Sequence, residues 1–482
     1  MRALFILVFF SLSTVTAFAQ ADSVKILTLQ TLLEQALETH PVIKQANLLS
    51  ERGRMQIRLA KGFFDPKLES QYSIKETEST KKSGDEDVPT VDGDFIPNFR
   101  KWNSYVKVPL WVGEFKAGFE QNTGDKLSGE NTTFEGEGFG FAGFEIPLLQ
   151  GMFIDKRRAL LRESQAMAFE NEAKRVEKIN KLILQIAKDY WEWYFAYNQY
   201  LLTERGYKLA EFRYRAVVNQ AKQGAMAAID TTEAQINMQE RGISRQEARL
   251  GLKNARLQLS NHLWSPEGFP LELNDEVIPV EEPTAQLATV SLEELMMQAQ
   301  TIHPELKQLE AKLEQIDVRR RLAAELLKPT LNVNYYLLAR SPFDESSYER
   351  ENFEKNFKAG ATFSFPLFLR KERGKLQLTK IKVMETELKR KETARRIEND
   401  LMAQYNELIN LQRVLEMQQQ ATENYRVLMR GETQKFMQGM SSVFYMNVRE
   451  GKLLEAETKL FKVKASLAKS YYMLRWSAGM GI

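Results

Sequence analysis

Two long stretches of this chain contain no proline, and they constrain its fold more than any other feature. All 14 prolines lie outside residues 148–265 and 367–482, which are each more than 110 residues long. Proline costs a helix interior about 3 kcal/mol, so its absence over such lengths permits very long helices. Apolar residues recur there at alternating spacings of four and three, as in Val176, Ile179 and Ile183. This period predicts helices that supercoil around neighbouring helices.

Gly224 and Gly439 interrupt the two stretches at equivalent places. Because glycine is the common residue just past a helix end, each predicts a turn between antiparallel helices. The predicted helical hairpins cover residues 153–264 and 370–475. At 1.5 Å per residue, the first helix of the first hairpin would be roughly 100 Å long, which is far more than a globular domain needs.

The segment THPVIKQ, which begins at Thr39, recurs almost unchanged as IHPELKQ from Ile302. At the same offset of 263 residues, Pro329 falls on Pro66. Such a long period predicts a two-fold internal duplication and not a short-period solenoid. The predicted organisation is a first repeat at 20–264, a linker at 265–290 and a second repeat at 291–482.

Two of the three histidines, His40 and His303, lie in the repeated segment. A histidine repeated beside a lysine could belong to a metal or catalytic site, but no partner ligand has a suitable spacing. Ser291 and Glu294 instead have the spacing of a capping box, and proline fits the first position of a new helix. We therefore predict that each histidine marks a break between a short helix and a longer one. The sequence predicts no enzyme, no cofactor and no metal site.

Between the helical regions the apolar period changes to two, as in strands with one apolar and one polar face. The predicted strands cover about 66–75, 101–121, 136–147, 330–338 and 356–366, and the stretch KVPLWVGEFKAGFEQNTG from Lys107 could add a hairpin. Strands of about ten residues with this alternation fit a transmembrane β-barrel, although a half-buried soluble sheet alternates in the same way. One chain has too few strands to close a barrel, so closure would need several copies. The predicted lumen-facing positions are Asn332, Asn334, Lys358, Thr362 and Ser364.

Composition restricts the compartment and the class of partner. Lys+Arg number 67 and Asp+Glu 64, a balance that argues against nucleic acid as the main partner. Residues 1–19 have the charged start, apolar core and small-residue end of a secretory signal peptide. The chain has no cysteine, which excludes disulfides and a cysteine-linked lipid anchor.

These features together resemble the TolC-like outer-membrane efflux protein family. The resemblance rests on the duplicated segment around each His-Pro, on the strand ends PLLQG and PLFLR, on AKDYWEWYFA and on GAMAAIDTTEAQ. It implies a mainly α fold with transmembrane β, in which a homotrimer completes a β-barrel and a long antiparallel coiled-coil α-barrel. The implied function is a passive exit duct in a Gram-negative outer membrane, for a tripartite efflux pump or a type I secretion system. A periplasmic adaptor and an inner-membrane transporter would be its partners, and the alternative is a soluble periplasmic coiled-coil scaffold or adaptor.

The resemblance also implies where the periplasmic entrance lies. In that family the turns at the helix tips form the entrance, and acidic residues six and nine positions beyond the second tip glycine often narrow it. Asp230 matches in the first repeat, but Tyr445 and Val448 replace both acids in the second. We therefore expect the entrance constriction to involve Asp230 and Tyr445 and to lack the acidic ring. The expected tip residues are Gln223, Gly224, Ala225, Gln438, Gly439 and Met440.

Overall fold

The computed structural model describes residues 26–75, 99–124, 138–280, 291–339 and 356–481. The predicted signal peptide and the last ten residues of the predicted linker lie outside these ranges. Most of the described residues are helical. In chain order the helices are α1 Leu29–Thr39, α2 Pro41–Lys61, α3 Lys156–Lys222, α4 Ala228–Ser260, α5 Leu292–Ile302, α6 Pro304–Glu325, α7 Arg370–Met437 and α8 Val443–Ser477. The strands are β1 Ile26–Leu27, β2 Lys67–Lys75, β3 Phe99–Pro109, β4 Glu114–Gly124, β5 Phe139–Pro147, β6 Ile278–Pro279, β7 Thr330–Ala339 and β8 Phe357–Ser364.

The two long hairpins, α3–α4 and α7–α8, occupy the two proline-free stretches. Helix α3 has 67 residues and α7 has 68. Within the first hairpin, the Arg245 guanidinium of α4 lies 3.9 Å from the centre of the Tyr207 ring of α3. Within the second, the Gln418 side chain donates a 3.0 Å hydrogen bond to the Ala456 carbonyl. The two helices of each hairpin therefore contact one another.

The aromatic segment AKDYWEWYFA of α3 contributes to the core. Tyr190 and Trp193 are fully buried. The Tyr190 hydroxyl lies 3.0 Å from the carbonyl oxygens of Leu27 and Val280, and it accepts a 3.2 Å hydrogen bond from the Val280 amide. Because Leu27 belongs to β1 and Val280 follows β6, this one hydroxyl fixes the small parallel ribbon β1–β6 onto α3.

The described residues form two compact units. The first takes them from Met1–Pro41, Ile183–Thr289 and Asn406–Met473, and the second from Val42–Leu182, Val290–Tyr405 and Leu474–Ile482. Each unit draws segments from both predicted repeats, so the units of packing differ from the units of duplication.

The predicted helix breaks at His40 and His303 are confirmed. His40 separates α1 from α2, and His303 separates α5 from α6. The helices before them begin as predicted, since the Ser291 hydroxyl accepts a 3.1 Å hydrogen bond from the Glu294 amide. Thr28 caps α1 in the same way.

The two histidines pack against different partners. The His40 ring lies 5.8 Å from the ring of His262, which in turn is 2.7 Å from the Asp189 carboxylate. His303 lies against Gly479, where an added Cβ would approach the His303 Cα to 2.7 Å. Within the described ranges, no three His, Cys, Asp or Glu side chains are arranged to hold a metal ion.

Acid should destabilise the unit that contains His40. Burial, and then the neighbouring His262, lower the pKa of His40, while a contact with the Asn261 backbone opposes them. The unfolded chain therefore binds the proton first as the pH falls below the ordinary histidine value of about 6.5. The stability that neutral His40 contributes above about pH 6.5 should be lost as the pH falls through the lowered pKa of His40 in the folded state. We expect a lower thermal midpoint at about pH 5.5 than at about pH 7.5, with a smaller difference in His40→Gln. A midpoint that is unchanged or higher in acid would contradict this interpretation.

Candidate functional site

Six strands form one antiparallel sheet in the order β2-β3-β4-β5-β7-β8. Its register places apolar side chains at most positions of one face. The polar residues on this face lie on β2–β4 and are Ser70, Arg100, Ser104, Gln121 and Thr123. Many of the apolar side chains are exposed in the chain, and Leu68 reaches 75%. The apolar face includes Leu68, Tyr72, Ile74, Trp102, Val106, Phe115, Ala117, Phe119, Phe144, Ile146, Leu331, Val333, Tyr335, Leu337, Phe357, Ala359, Ala361 and Phe363.

The opposite face of the sheet is polar, and it carries all five residues that the sequence predicted to face a lumen. Asn332 pairs with Thr362, and Thr330 pairs with Ser364. Asn334 and Lys358 lie on this face too, opposite Gly360 and Tyr336. The register thus brings the five predicted residues together on β7 and β8.

Charged side chains continue the polar face across the strands of the first repeat. Lys116 on β4 lies 2.9 Å from the Glu114 carboxylate and 2.7 Å from that of Glu145 on β5. Lys107 on β3 also reaches Glu114, at 2.8 Å. Cross-strand ion pairs of this kind stabilise the register of neighbouring strands. They extend the polar face across β3, β4 and β5, and this face also carries the contacting rings of Tyr105, Phe141 and Tyr336.

The strand segment predicted at about 101–121, where the sequence allowed a hairpin, is a hairpin of two strands, β3 and β4. Its turn is held against the start of α3, because the Arg157 guanidinium donates a 3.1 Å hydrogen bond to the Gly113 carbonyl. The Arg158 guanidinium lies 5.8 Å from the centre of the Trp111 ring in the same turn. The hairpin is therefore anchored at both its strands and its turn.

The turns at the helix tips have the same geometry in both hairpins. Gly224 has φ +74° and Gly439 has φ +73°. The Ala225 amide bonds to the Gln220 carbonyl at 3.0 Å, and the equivalent Met440 amide bonds to Lys435 at 2.8 Å. This is the Schellman motif, in which the residue of positive φ ends the helix and satisfies its last carbonyls.

Replacing either tip glycine by alanine should weaken its turn. A residue with a Cβ in the left-handed region costs about 1 kcal/mol or more, and space is not the obstacle, since nothing lies within 4 Å of the added Cβ. We expect Gly224→Ala and Gly439→Ala each to lower the midpoint of chemical unfolding. Gly374→Ala, which is equally open but lies within α7, should not. Equal effects at all three positions would contradict this explanation.

The structure places the two candidate constriction residues in different surroundings. The Asp230 carboxylate accepts a 3.2 Å hydrogen bond from the Ala227 amide, so it caps the start of α4. Tyr445 is 54% exposed near the start of α8, and its ring lies 5.6 Å from the exposed Phe444. Val448, one turn further along, is exposed as well. The start of α8 is thus apolar and aromatic where the first repeat has an acid.

Helix α4 carries an exposed apolar stripe that the sequence reasoning missed. One residue in every seven is a large aliphatic side chain, and each is at least half exposed in the chain. The members of this stripe are Ile229, Ile236, Ile243, Leu250 and Leu257. A strict seven-residue repeat is the signal that could have found it, since such a repeat is typical of a helix-packing seam.

No helix in the described part of the chain is both long and apolar enough to cross a bilayer.

Known proteins share this fold. The family model described as outer membrane efflux protein matches residues 295–480. The Campylobacter jejuni CmeC outer membrane channel is 14% identical, with a TM-score of 0.64 over 94% of this chain and 85% of that one. The Vibrio cholerae outer membrane protein VceC is 14% identical, with a TM-score of 0.62 over 94% and 96%. The Neisseria gonorrhoeae MtrE outer membrane channel, in its open state, is 14% identical, with a TM-score of 0.66 over 94% and 89%.

None of the curated proteins matches the sequence. The family match lies in the second repeat, and the shared fold extends through nearly the whole chain. The chain therefore resembles the TolC-like outer membrane efflux proteins, in sequence over residues 295–480 and in fold over 94% of its length.

Proposed function

We propose that this protein is the outer-membrane exit duct of a tripartite efflux pump or type I secretion system. Three copies would close one barrel, and solutes would reach it from an inner-membrane transporter through a periplasmic adaptor. The observation that carries the proposal is the six-stranded sheet, which has one largely apolar face, one largely polar face and, among the described residues, two edges with no strand partner. That combination suits a wall between lipid and water.

The free edges support closure by several copies. Strand β2 pairs only with β3, and β8 pairs only with β7, so each leaves a row of backbone groups without a strand partner in the described chain. Backbone groups must be paired inside a bilayer, and the smallest membrane barrels have eight strands. Pairing β8 of one copy with β2 of the next satisfies both edges and closes the barrel.

The stripe on α4 supports a barrel of helices formed by several copies of the chain. Its five aliphatic residues would be covered by a helix of the next copy, since heptad seams bury such side chains between helices. The tips at Gly224 and Gly439 would then form the entrance at which the adaptor docks. Tyr445 would narrow that entrance by its bulk.

Removing the Tyr445 ring should widen a closed entrance. We expect Tyr445→Ala to raise the conductance of the resting channel in planar bilayers, because the side chain is exposed and its loss disturbs no core. Phe212→Ala is the matched control, since Phe212 is an equally bulky exposed ring on α3. Unchanged conductance in Tyr445→Ala, or an equal rise in both variants, would remove Tyr445 from the constriction.

The direct test of the proposal is the behaviour of the purified protein in membranes. We expect detergent to be needed for extraction, chemical cross-linking to give trimers and planar bilayers to show ion-conducting pores. Extraction by salt alone with no pores would overturn the proposal. That outcome would favour a soluble periplasmic scaffold or adaptor.

A further inference from the structure

We infer that the hairpin β3–β4 widens the membrane part of the duct from twelve strands to eighteen, so that the exit admits solutes of macromolecular width. This inference rests on the proposed function and goes beyond it by naming the size class of the solute. The two predicted repeats contribute different numbers of strands to the same sheet, four from the first and two from the second.

The duplication identifies which strands correspond. Pro329 falls on Pro66 immediately before β7 and β2, and Tyr335 falls on Tyr72 within them. The segments PLLQG and PLFLR then follow β5 and β8. Hence β2 corresponds to β7, and β5 corresponds to β8. The hairpin β3–β4 has no counterpart between the strands of the second repeat, since β7 and β8 are direct neighbours in the described sheet.

The hairpin enters the sheet between two corresponding strands and does not extend its edge. In the second repeat, β7 and β8 are direct neighbours, and Val333 pairs with Ala361. In the first repeat, β2 pairs with β3 and β5 pairs with β4, so two strands separate the equivalent pair. An inserted pair of antiparallel strands preserves the direction of both neighbours. Each copy therefore contributes two additional strands to the wall of the barrel.

The inserted strands are fully integrated. Nine residue pairs join β2 to β3, eleven join β3 to β4 and seven join β4 to β5. The apolar side chains of the hairpin keep to the same face as those of β2 and β5, with polar residues on that face only at Ser104 and near the end of the hairpin that leads to residues 98 and 125. The ion pair of Lys116 with Glu145 links the hairpin to β5 at 2.7 Å. A hairpin that lay outside the barrel wall would need neither an apolar face shared with its neighbours nor this register.

The effect on width follows from barrel geometry. With strands about 4.8 Å apart and tilted by about 40°, twelve strands give a backbone radius of about 12 Å and eighteen give about 18 Å. Side chains take about 5 Å of each radius, so the open cross-section rises roughly threefold. Barrels of sixteen to eighteen strands leave an open aqueous channel in known membrane proteins. A polypeptide segment or another polymer fits the wider exit.

Polymer exclusion from the strand side of the pore measures this width separately from the helical entrance. Polyethylene glycols of graded size, added on the side of the β-barrel, lower the conductance only if they enter the barrel. The comparison variant replaces residues 76–137 by residues 340–356, which connect the corresponding strands of the second repeat. We expect the wild type to admit polymers of roughly twice the hydrodynamic radius that the variant admits. Equal cut-offs in two conducting proteins would overturn the inference and leave the proposed duct standing, whereas no pores in the wild type would refute the duct itself.

A double cysteine variant tests the inference independently, in case the variant that lacks residues 76–137 fails to fold. Ser70 on β2 and Ser104 on β3 are cross-strand partners, and the chain has no native cysteine. In the wild-type background, Ser70→Cys with Ser104→Cys should form a disulfide in membrane-inserted trimers, because directly opposed residues lie within disulfide range. The matched control, Ser70→Cys with Ser73→Cys, places both residues on one strand and should remain reduced. Absence of the cross-strand disulfide from inserted trimers would overturn the inference.

Discussion

Placing a lysine at position 361 should lower the stability of the membrane-inserted protein by about 2–4 kcal/mol, because Ala361 lies on the apolar face of the sheet. Ala361 is near the middle of β8 and is exposed in the chain, so the substitution displaces no packed side chain. The cost arises from transferring a charged group into the hydrocarbon layer. The free energy of unfolding can be measured by unfolding trimers in liposomes with urea and monitoring the loss of the β-sheet circular-dichroism signal.

The adjacent residue is the control. Thr362 is equally exposed but lies on the polar face opposite Asn332. Thr362→Lys should therefore be tolerated, because its ammonium group stays in water. The two variants add the same charge to neighbouring positions of one strand and differ only in the face. If both substitutions are tolerated, the apolar face is not in contact with lipid.

Truncating Glu450 should destabilise the helical part of the protein by about 3–5 kcal/mol. Glu450 on α8 forms an ion pair with Arg213 on α3, and their side chains are only 7% and 13% exposed. Glu450→Ala leaves the Arg213 guanidinium buried without its carboxylate, and that uncompensated charge is the source of the cost. The expected result is a large fall in the thermal midpoint of the helical circular-dichroism signal.

Replacing both Arg213 and Glu450 separates the free-energy cost of an unpaired buried charge from the net stabilisation that the ion pair provides. Arg213→Met combined with Glu450→Leu fills the site with apolar side chains and should recover most of the lost stability. Glu455→Ala is a second control, because Glu455 pairs at the exposed surface of α8 with Lys452 and Lys459. Surface pairs contribute about 1 kcal/mol or less. A double variant as unstable as Glu450→Ala would contradict this account.

The long helices could be predicted from sequence because their signals are local. Proline is absent, apolar residues keep a 3.5-residue period, and a glycine of positive φ ends the first helix of each hairpin. The breaks at His40 and His303 were likewise predictable, since proline and the capping residues act within a few positions.

The extra strands were harder to recognise. The apolar positions change from even to odd numbers between Val108 and Phe115, and Pro109 and Gly113 mark the turn, so the sequence suggests a hairpin without fixing its bounds. The order of the strands in the sheet could not be predicted, because no local sequence signal shows that β3 and β4 lie between β2 and β5. Sheet register depends on contacts far apart in the chain, whereas the period of two reports only which residues share a face.

The candidate site was predictable to a similar extent. Alternation correctly grouped Asn332, Asn334 and Thr362 on one face of the sheet. Whether that face lines a lumen remains a proposal. The capping bond from Asp230 to the Ala227 amide was not anticipated, since an acid at this position was considered only for the entrance. The stripe on α4 was missed because its members recur only once in every seven residues, with mostly polar or small residues between them.

Under the proposed function, the apolar face of the six-stranded sheet meets lipid while the opposite face meets water. Because the chain has no cysteine, Ala361→Cys and Thr362→Cys can each carry one fluorophore at a known face. In liposomes whose acyl chains carry a quencher, the account predicts strong quenching at position 361 and weak quenching at position 362. A water-soluble quencher should give the reverse order. Weak quenching by the lipid at both positions, with the protein fully reconstituted, would contradict the claim.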